Sequence, residues 1–298
     1  MQLNGAIIVN AFGVPGQSLV QAKRLQTEFI SRGVQTEILS DAFLRAGVQN
    51  NQIVSDLKDR DFCVFLDKDK YLSQIIQDIG VRMFNSHKSI RICDDKGETY
   101  LALAGKGVNL PKTTFAPVCY TEKTPLRMDY VTKIENNLSY PMVVKTSYGS
   151  CGTGVYLIEN RDQLQSVMQK LKTQPHLYQE YVDAKKGQDV RVIVIGGKTI
   201  AAMRRINDND FRSNVALGGR GEKLDLTAKE NQILFETAEK CAKILGLDYC
   251  GVDLLERKDG VPVVCEVNSN AFFEGIEKYT QTNVAGAYAE YVIKTLTK

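Results

Sequence analysis

Two apolar segments joined by a short polar turn, GVDLLE (251–256) and VPVVCEVN (261–268), constrain this chain more than any other stretch. Asp259-Gly260 between them is a favoured hairpin turn, because these residues tolerate the positive φ that such turns require. Side chains alternate along a strand, so Glu266 and Asn268 share one face, and Asp253 on the neighbouring strand can share it too. Two carboxylates and an amide oxygen on rigid apolar strands make the hard oxygen donor set that a magnesium ion takes, with positions left for water and phosphate. A hairpin that simply turns its polar side to solvent has the same spacing, so the rest of the chain has to separate the two readings.

A glycine-rich loop lies about a hundred residues upstream. Lys145 ends the apolar run Met142-Val143-Val144, and Gly149, Ser150, Gly152 and Gly154 follow. Backbone N–H groups in such a loop can approach phosphate without obstruction by Cβ. A Walker A loop places its lysine after the glycines and before a helix, so this is a different arrangement, and a plain hairpin turn is the simple alternative. Residues 179–182, including Glu180 and Tyr181, read as an extended segment whose backbone can pair with an adenine edge. Asp189 and Arg191 lie two apart on the next strand and so face one side, while Arg205, Arg212, Ser213 and Asn214 add cations and polar donors around a loop. Alternation turns only one of Arg204 and Arg205 inward. Charge clusters ordinarily mark a solvated surface. Lying between a phosphate-type loop and a metal-type hairpin, this one favours a polyanion site.

Composition narrows the class. A chain of 298 residues exceeds one ordinary core, and 7 prolines with 23 glycines are unremarkable for a folded protein. The 38 basic and 35 acidic residues leave a charge of +3, too small for the phosphate-neutralising field of a nucleic-acid binder. Seven cysteines without a C-x-x-C pair read as buried free thiols, and two distant histidines supply neither a histidine-rich metal site nor a Ser-His-Asp triad. The N-terminus reads as a first strand and not a signal peptide, and no apolar run approaches the roughly 18 residues that span a bilayer. The expectation is a reduced, cytoplasmic protein with no nucleic-acid or membrane partner.

Residues 1–85 alternate strand and helix signals: Gly5 to Val9, a helix capped by Ser18 with Leu19, Ala22, Leu25 and Phe29 inward, then Val34 to Leu39 and Phe62 to Leu66. A second helix with Tyr71, Leu72, Ile75, Ile76 and Ile79 inward and a strand at Val81 to Phe84 complete a small doubly wound α/β unit. The turn at 13–16 is not G-x-G-x-x-G, so it carries no dinucleotide fingerprint. Beyond residue 90 come a helix from Lys96, an irregular stretch after Pro111, strands at 141–146 and 155–158, a helix at 162–172, and short strands at 177–182, 189–195 and 199–206. A helix from Thr227 to Leu245, the hairpin and a last helix from Val284 to Leu296 close the chain.

The succession D-K (95–96), P-x-T (111–113), V-V-K (143–145), G-S-x-G-x-G (149–154), Q-E-Y (179–181), D-x-R (189–191), F-R-S-N (211–214), G-V-D (251–253) and E-V-N (266–268) resembles the ATP-grasp fold. The later residues Glu274 to Lys278 and Asn283 to Gly286 are similar to RimK-type α-L-glutamate ligases. The resemblance implies an α/β (α+β) chain: an ATP-grasp domain at 91–298, with lobes at 91–178 and 179–298, preceded by the doubly wound α/β domain at 1–90. It further implies that Lys96, Lys145 and the loop glycines with Ser150 hold ATP phosphates, that Glu180 and Tyr181 form the adenine hinge, and that Asp189 holds the ribose. Arg205, Arg212, Ser213 and Asn214 would meet the triphosphate or incoming carboxylate, with Arg205, Arg212 and Asn214 catalytic. Asp253, Glu266 and Asn268 would bind Mg2+, with Mn2+ as an alternative ion, and Arg191, Ser269 and Asn270 would face substrate.

The activity so implied is carboxylate–amine ligation through an acyl phosphate, releasing ADP and phosphate, with the loop at 147–154 as a lid. The partners implied are ATP, an amino acid, a carboxylate-bearing acceptor (peptide, protein terminus or metabolite) and further copies of the chain. Where such glutamate ligases continue with Ser-Pro-Gly, this chain reads Ser269-Asn270-Ala271-Phe272-Phe273. That departure keeps a D-alanine or glutathione-type synthetase in view, and its phenylalanines either shape a substrate pocket or pack beneath the last helix. A nucleotide-binding regulatory protein that keeps the fold without catalysis is the remaining alternative.

Overall fold

A computed structural model describes residues 3–13, 17–150, 152–213 and 218–297. Four parallel strands form the N-terminal sheet in the order Gln35–Ser40, Asn4–Val9, Phe62–Leu66, Arg82–Phe84. A continuous apolar strand suits this sheet because both faces are covered. Ile7 and Val9 pack with Ala22, Leu25 and Phe29 of the helix Gln17–Ser31, while Ala6 and Ile8 join Leu72 and Ile76 of the helix Lys70–Asp78. Three local expectations fail. Ser18 lies inside the first helix and not at its cap, Leu19 is 43% exposed near the start of that helix, and Tyr71 is 72% exposed because the second helix turns only part of its apolar set inward. Of the predicted turn at 13–16 only Gly13 lies within the described residues.

The middle of the chain builds an antiparallel sheet in the order Thr113–Phe115, His176–Glu180, Met142–Thr146, Val155–Ile158. Helices Met128–Asn137 and Arg161–Leu171 cover one face, burying Val131, Ile134, Leu164, Met168 and Leu171 against Met142, Val144 and Tyr178. The first of these helices falls in the stretch expected to be irregular. Met142 and Val144 go into this core, so alternation turns Val143 and Lys145 to the opposite side.

Five antiparallel strands form the third sheet: Arg220–Lys223, Lys198–Ile206, Gln188–Ile195, Tyr249–Glu256 and Pro262–Asn268. Helix Gln232–Leu245 covers one face, and helices Glu274–Thr280 and Val284–Leu296 the other. The second of those faces shares a continuous core with the N-terminal sheet, in which Ile7, Phe62 and Phe84 meet Tyr249, Phe273 and Tyr288. The hairpin turn is wider than two residues. Gly260 takes φ 81° and donates to the Arg257 carbonyl at 2.9 Å, and Val261 O accepts from Arg257 N at 3.1 Å, a three-residue loop with its glycine in the left-handed region. Among the described residues no helix is long and apolar enough to cross a membrane.

Candidate active site

A cleft opens between the middle and C-terminal sheets, with Val143 and Lys145 on one wall and Asp189, Arg205, Asp253 and Glu266 on the other. Strand pairing sets the second wall: Asp189 lies opposite Arg205, Arg191 opposite Asp253, and Asp253 opposite Glu266. Arg191 donates to both Asp253 oxygens, at 2.7 and 2.6 Å. Arg205 reaches Asp253 Oδ2 at 2.9 Å and is bonded through Nε and Nη2 to Asp189. Burial opposes the Asp253 carboxylate, but the two guanidinium groups outweigh it and hold its pKa below the usual range.

Cations approach from the other side. Lys96 Nζ donates to Gly149 O at 2.8 Å and lies 3.6 Å from Glu266 Oε1. Burial lowers its pKa, and the Glu266 charge opposes that shift. Lys145, nine-tenths buried, has its Nζ 3.8 Å from Cys265 Sγ; burial disfavours its charge, but Cys265, Tyr100 and Glu266 more than offset this and raise its pKa. Burial pushes the Cys265 thiol up, against the pull of the Lys145 charge. Arg212 Nη1 donates to Gly152 O at 3.0 Å while Asp210 holds the rest of its guanidinium, so the segment at 210–213 is tied to the glycine loop across the cleft. The N-cap at Asp95 accepts from Gly97 N and Glu98 N, which fixes Lys96 at the start of its helix.

This wall of buried carboxylates and guanidinium groups, facing lysines and a glycine loop, suits a nucleotide triphosphate. A family model for the RimK-like ATP-grasp domain matches residues 93–292. The chain belongs to the RimK-like ATP-grasp family. It is 39% identical over 219 residues to a Maridesulfovibrio salexigens protein named "Probable alpha-L-glutamate ligase", covering 72% of this chain and 68% of that one. Human N-acetylaspartylglutamate synthase A is 34% identical over 232 residues, covering 77% of this chain, but the match spans only 57% of the human protein. The D-alanine–D-alanine ligase of Bacillus anthracis, solved with ATP, shares the fold over 99% of this chain and 97% of its own, with TM-score 0.72 at 19% identity.

Most residues that the ATP-grasp resemblance singled out line the cleft: Lys96, Lys145, Gly149, Ser150, Gly152, Glu180, Tyr181, Asp189, Arg205, Arg212, Ser213, Asp253 and Glu266. The Glu180 carboxylate accepts from Lys112 N and its N–H donates to Lys112 O, both at 2.9 Å, so both groups are engaged by Lys112. Gly154 is not in the wall; a Cβ there would lie 2.2 Å from Thr146 Oγ1, so its glycine serves the packing of the loop. Arg191, Asn268, Ser269 and Asn270 are not among the residues that line this cleft, Arg191 being bonded to Asp253 and Asn270 to Gln21, and Asn214 lies outside the described residues. Arg204 is bonded to Glu256 on the opposite face from Arg205, as alternation required.

Sequence reasoning missed Cys265, Lys185 and Lys186, which also line the cleft. Asp253 pairs with Glu266 but Leu254 pairs with Val264, so Cys265 is the extra residue of a β-bulge, and both it and Glu266 face inward. Strict alternation hides such a residue. The phenylalanine question is settled for Phe273, which is buried edge-on against Tyr249 at 6.5 Å between centroids.

The donor set fits a hard cation. Asp253 Oδ1 accepts one bond and Oδ2 two, which leaves a lone pair on Oδ1, and Glu266 has only the 3.6 Å contact with Lys96. Among the described residues no three His, Cys, Asp or Glu side chains are grouped so as to hold a metal ion. An ion here would therefore depend on Asp253, Glu266 and the Asn268 amide oxygen together with phosphate and water, as Mg2+ sites commonly do.

Proposed function

We propose that this protein joins an amino acid to a carboxylate-bearing acceptor at the expense of ATP, through an acyl phosphate. The observation that carries this reading is the pairing, across one cleft, of Lys96, Lys145 and the glycine loop with the wall formed by buried Asp253 and partly exposed Glu266. A carboxylate is a poor acyl donor because its leaving group would be oxide; phosphorylation by ATP turns that oxygen into a phosphate leaving group, and the amine nitrogen then attacks the carbonyl carbon. No protein nucleophile is needed. Mg2+ held by Asp253, Glu266 and Asn268 would neutralise phosphate charge, and Mn2+ would serve in its place.

The chain's own groups do the rest. Lys96 and Lys145 place fixed positive charge where phosphate oxygens would lie, and buried charges act there with little screening. Arg205, anchored by Asp189 and Asp253, needs no reorganisation to face a developing oxyanion. Tyr181 and the Glu180 backbone suit an adenine edge, with Asp189 toward the ribose. Arg212 would draw the glycine loop over the phosphates and keep water from the acyl phosphate, while Ser213 and Asn214 would meet the triphosphate or the incoming carboxylate. Arg191, Ser269 and Asn270 fall to the substrate side. We place the protein in the cytoplasm as a homo-oligomer, with residues 1–90 and 91–298 as its domains.

The names of the relatives direct the substrates. Glutamate is the amine to try first, and N-acetylaspartate is a candidate acceptor beside peptides. The likeness to D-alanine–D-alanine ligase, at 19% identity, concerns the fold alone. Incubation with ATP, Mg2+, L-glutamate and a panel of acceptors should yield ADP and an amide in equal amounts by mass spectrometry. ATP binding with no amide from any pairing would defeat the reading.

A further inference from the structure

The middle sheet carries a second cavity on its helix-covered side, about 350 Å3 in volume, which shares no lining residue with the nucleotide cleft. Strand alternation separates the two. On the strand His176–Glu180, Tyr178 faces the cavity and Gln179 the cleft, so the sheet itself stands between them. Residues of the segment at 116–127 line one side, and Lys172 pins that segment by donating to Glu122 O and, at 3.0 Å, to Thr124 O. Pro117, Pro125, Leu126, Met168 and the Tyr178 ring make the lining largely apolar. A cavity of this size, apolar with a few polar groups, is of the kind that takes a small molecule.

The polar groups that reach it define the ligand. His176 Nδ1 lies 2.7 Å from the Gln174 carbonyl, which can only accept, so that nitrogen carries the ring proton. Burial lowers the His176 pKa, the ring stays neutral, and Nε2 accepts from the Tyr178 hydroxyl at 2.8 Å. The one proton of that hydroxyl is therefore committed. Tyr130 stands edge-on to Tyr178 at 6.3 Å between centroids, and its own hydroxyl is buried with no hydrogen-bond partner among the described residues. Lys133, three residues further along the same helix and so on the same side, lines the cavity from an exposed position and makes no hydrogen bond or ion pair among the described residues. Arg127 differs, being engaged by Asp129. The cavity thus offers an uncommitted O–H donor within and a free cation at its mouth, on either side of an apolar body.

We propose that this cavity is a second ligand site, for a small carboxylate with an aryl or branched-alkyl body, whose apolar part lies among Leu126, Met168 and Tyr178 and whose carboxylate accepts from Tyr130 and meets the charge of Lys133. The sheet holds such a ligand away from the reacting groups, so it is not a reactant, and the site stands whether or not the ligase reading does. Calorimetric titration of the full chain with 3-phenylpropanoate tests it, with and without a saturating non-hydrolysable ATP analogue. Saturable binding that the analogue leaves unchanged is expected. Tyr130→Phe, which keeps the ring and removes the hydroxyl, should weaken the probe about tenfold, the loss of one hydrogen bond to a charged group, and should melt no lower than the parent because the lost group had no partner. Lys133→Glu exchanges an attraction for a repulsion and should also weaken it about tenfold, while affinity for the ATP analogue stays the same. Probe affinity within twofold of the parent in either variant overturns the site, as does displacement of the probe by the ATP analogue, which would put it in the cleft. No saturable binding up to about 10 mM also overturns it. So does a Tyr130→Phe chain that melts well below the parent, since the hydroxyl would then be holding the fold.

Discussion

Arg191 and Asp253 face each other on adjacent strands and are joined by two parallel hydrogen bonds of 2.7 and 2.6 Å, with Asp253 almost wholly buried. The pair fixes the carboxylate that the account assigns to Mg2+, and Arg205 ties the same carboxylate to Asp189. Asp253→Asn would leave one buried guanidinium without its counter-charge. Breaking a buried pair by removing one partner costs about 3–5 kcal/mol, so urea denaturation should show a loss on that scale, together with loss of ATP-dependent turnover. A variant as stable as the parent would show that Arg191 finds another partner.

Among the described residues Arg212 makes a single bond to the glycine loop, at the Gly152 carbonyl. Arg212→Ala should therefore act on nucleotide handling and hardly on stability. A charge-assisted bond of about 1.5–3 kcal/mol corresponds to roughly tenfold or more in kcat/KM for ATP, with the melting temperature nearly unchanged. Steady-state kinetics with varied ATP, run beside a thermal melt, separates the two effects.

Acid stability has an assignable source outside the cleft. Burial disfavours the Glu28 carboxylate, but bonds from Arg24, Arg32 and Asn283 outweigh it and bring its pKa down to about 2. A depressed carboxylate stabilises the fold above its unfolded value of 4.5, and that contribution is lost as pH falls from there toward about 2. Arg24 also lies 3.6 Å from Glu277, so this network ties the first helix to the helix Glu274–Thr280. Melting temperatures taken from pH 5 to pH 2.5 should fall less steeply for Glu28→Gln than for the parent. Identical slopes would remove Glu28 from the explanation.

Much of this was legible in the sequence because the relevant signals are local. Alternation placed Asp253 and Glu266 on one wall and sorted Arg205 from Arg204, and the strand ending at Lys145 followed from an apolar run. What escaped depends on departures from regularity or on distance along the chain. Cys265 was hidden by the bulge that breaks the alternation. Asn85 and Gln21 reach the loop after the metal strand from far upstream, and nothing in their neighbouring residues marks that contact. The core common to Phe62, Tyr249 and Tyr288 is likewise a property of the folded chain, since each segment alone reads as an ordinary apolar strand or helix.

The central claim is that the acceptor carboxylate is activated as an acyl phosphate in the cleft between Lys145 and Asp253. The direct measurement uses an acceptor labelled with 18O in its carboxylate, turned over with ATP, Mg2+ and L-glutamate, with the released phosphate analysed by mass spectrometry. One labelled oxygen should appear in inorganic phosphate for each amide formed, alongside ADP. Label found in AMP, or phosphate free of label while amide accumulates, would contradict the account.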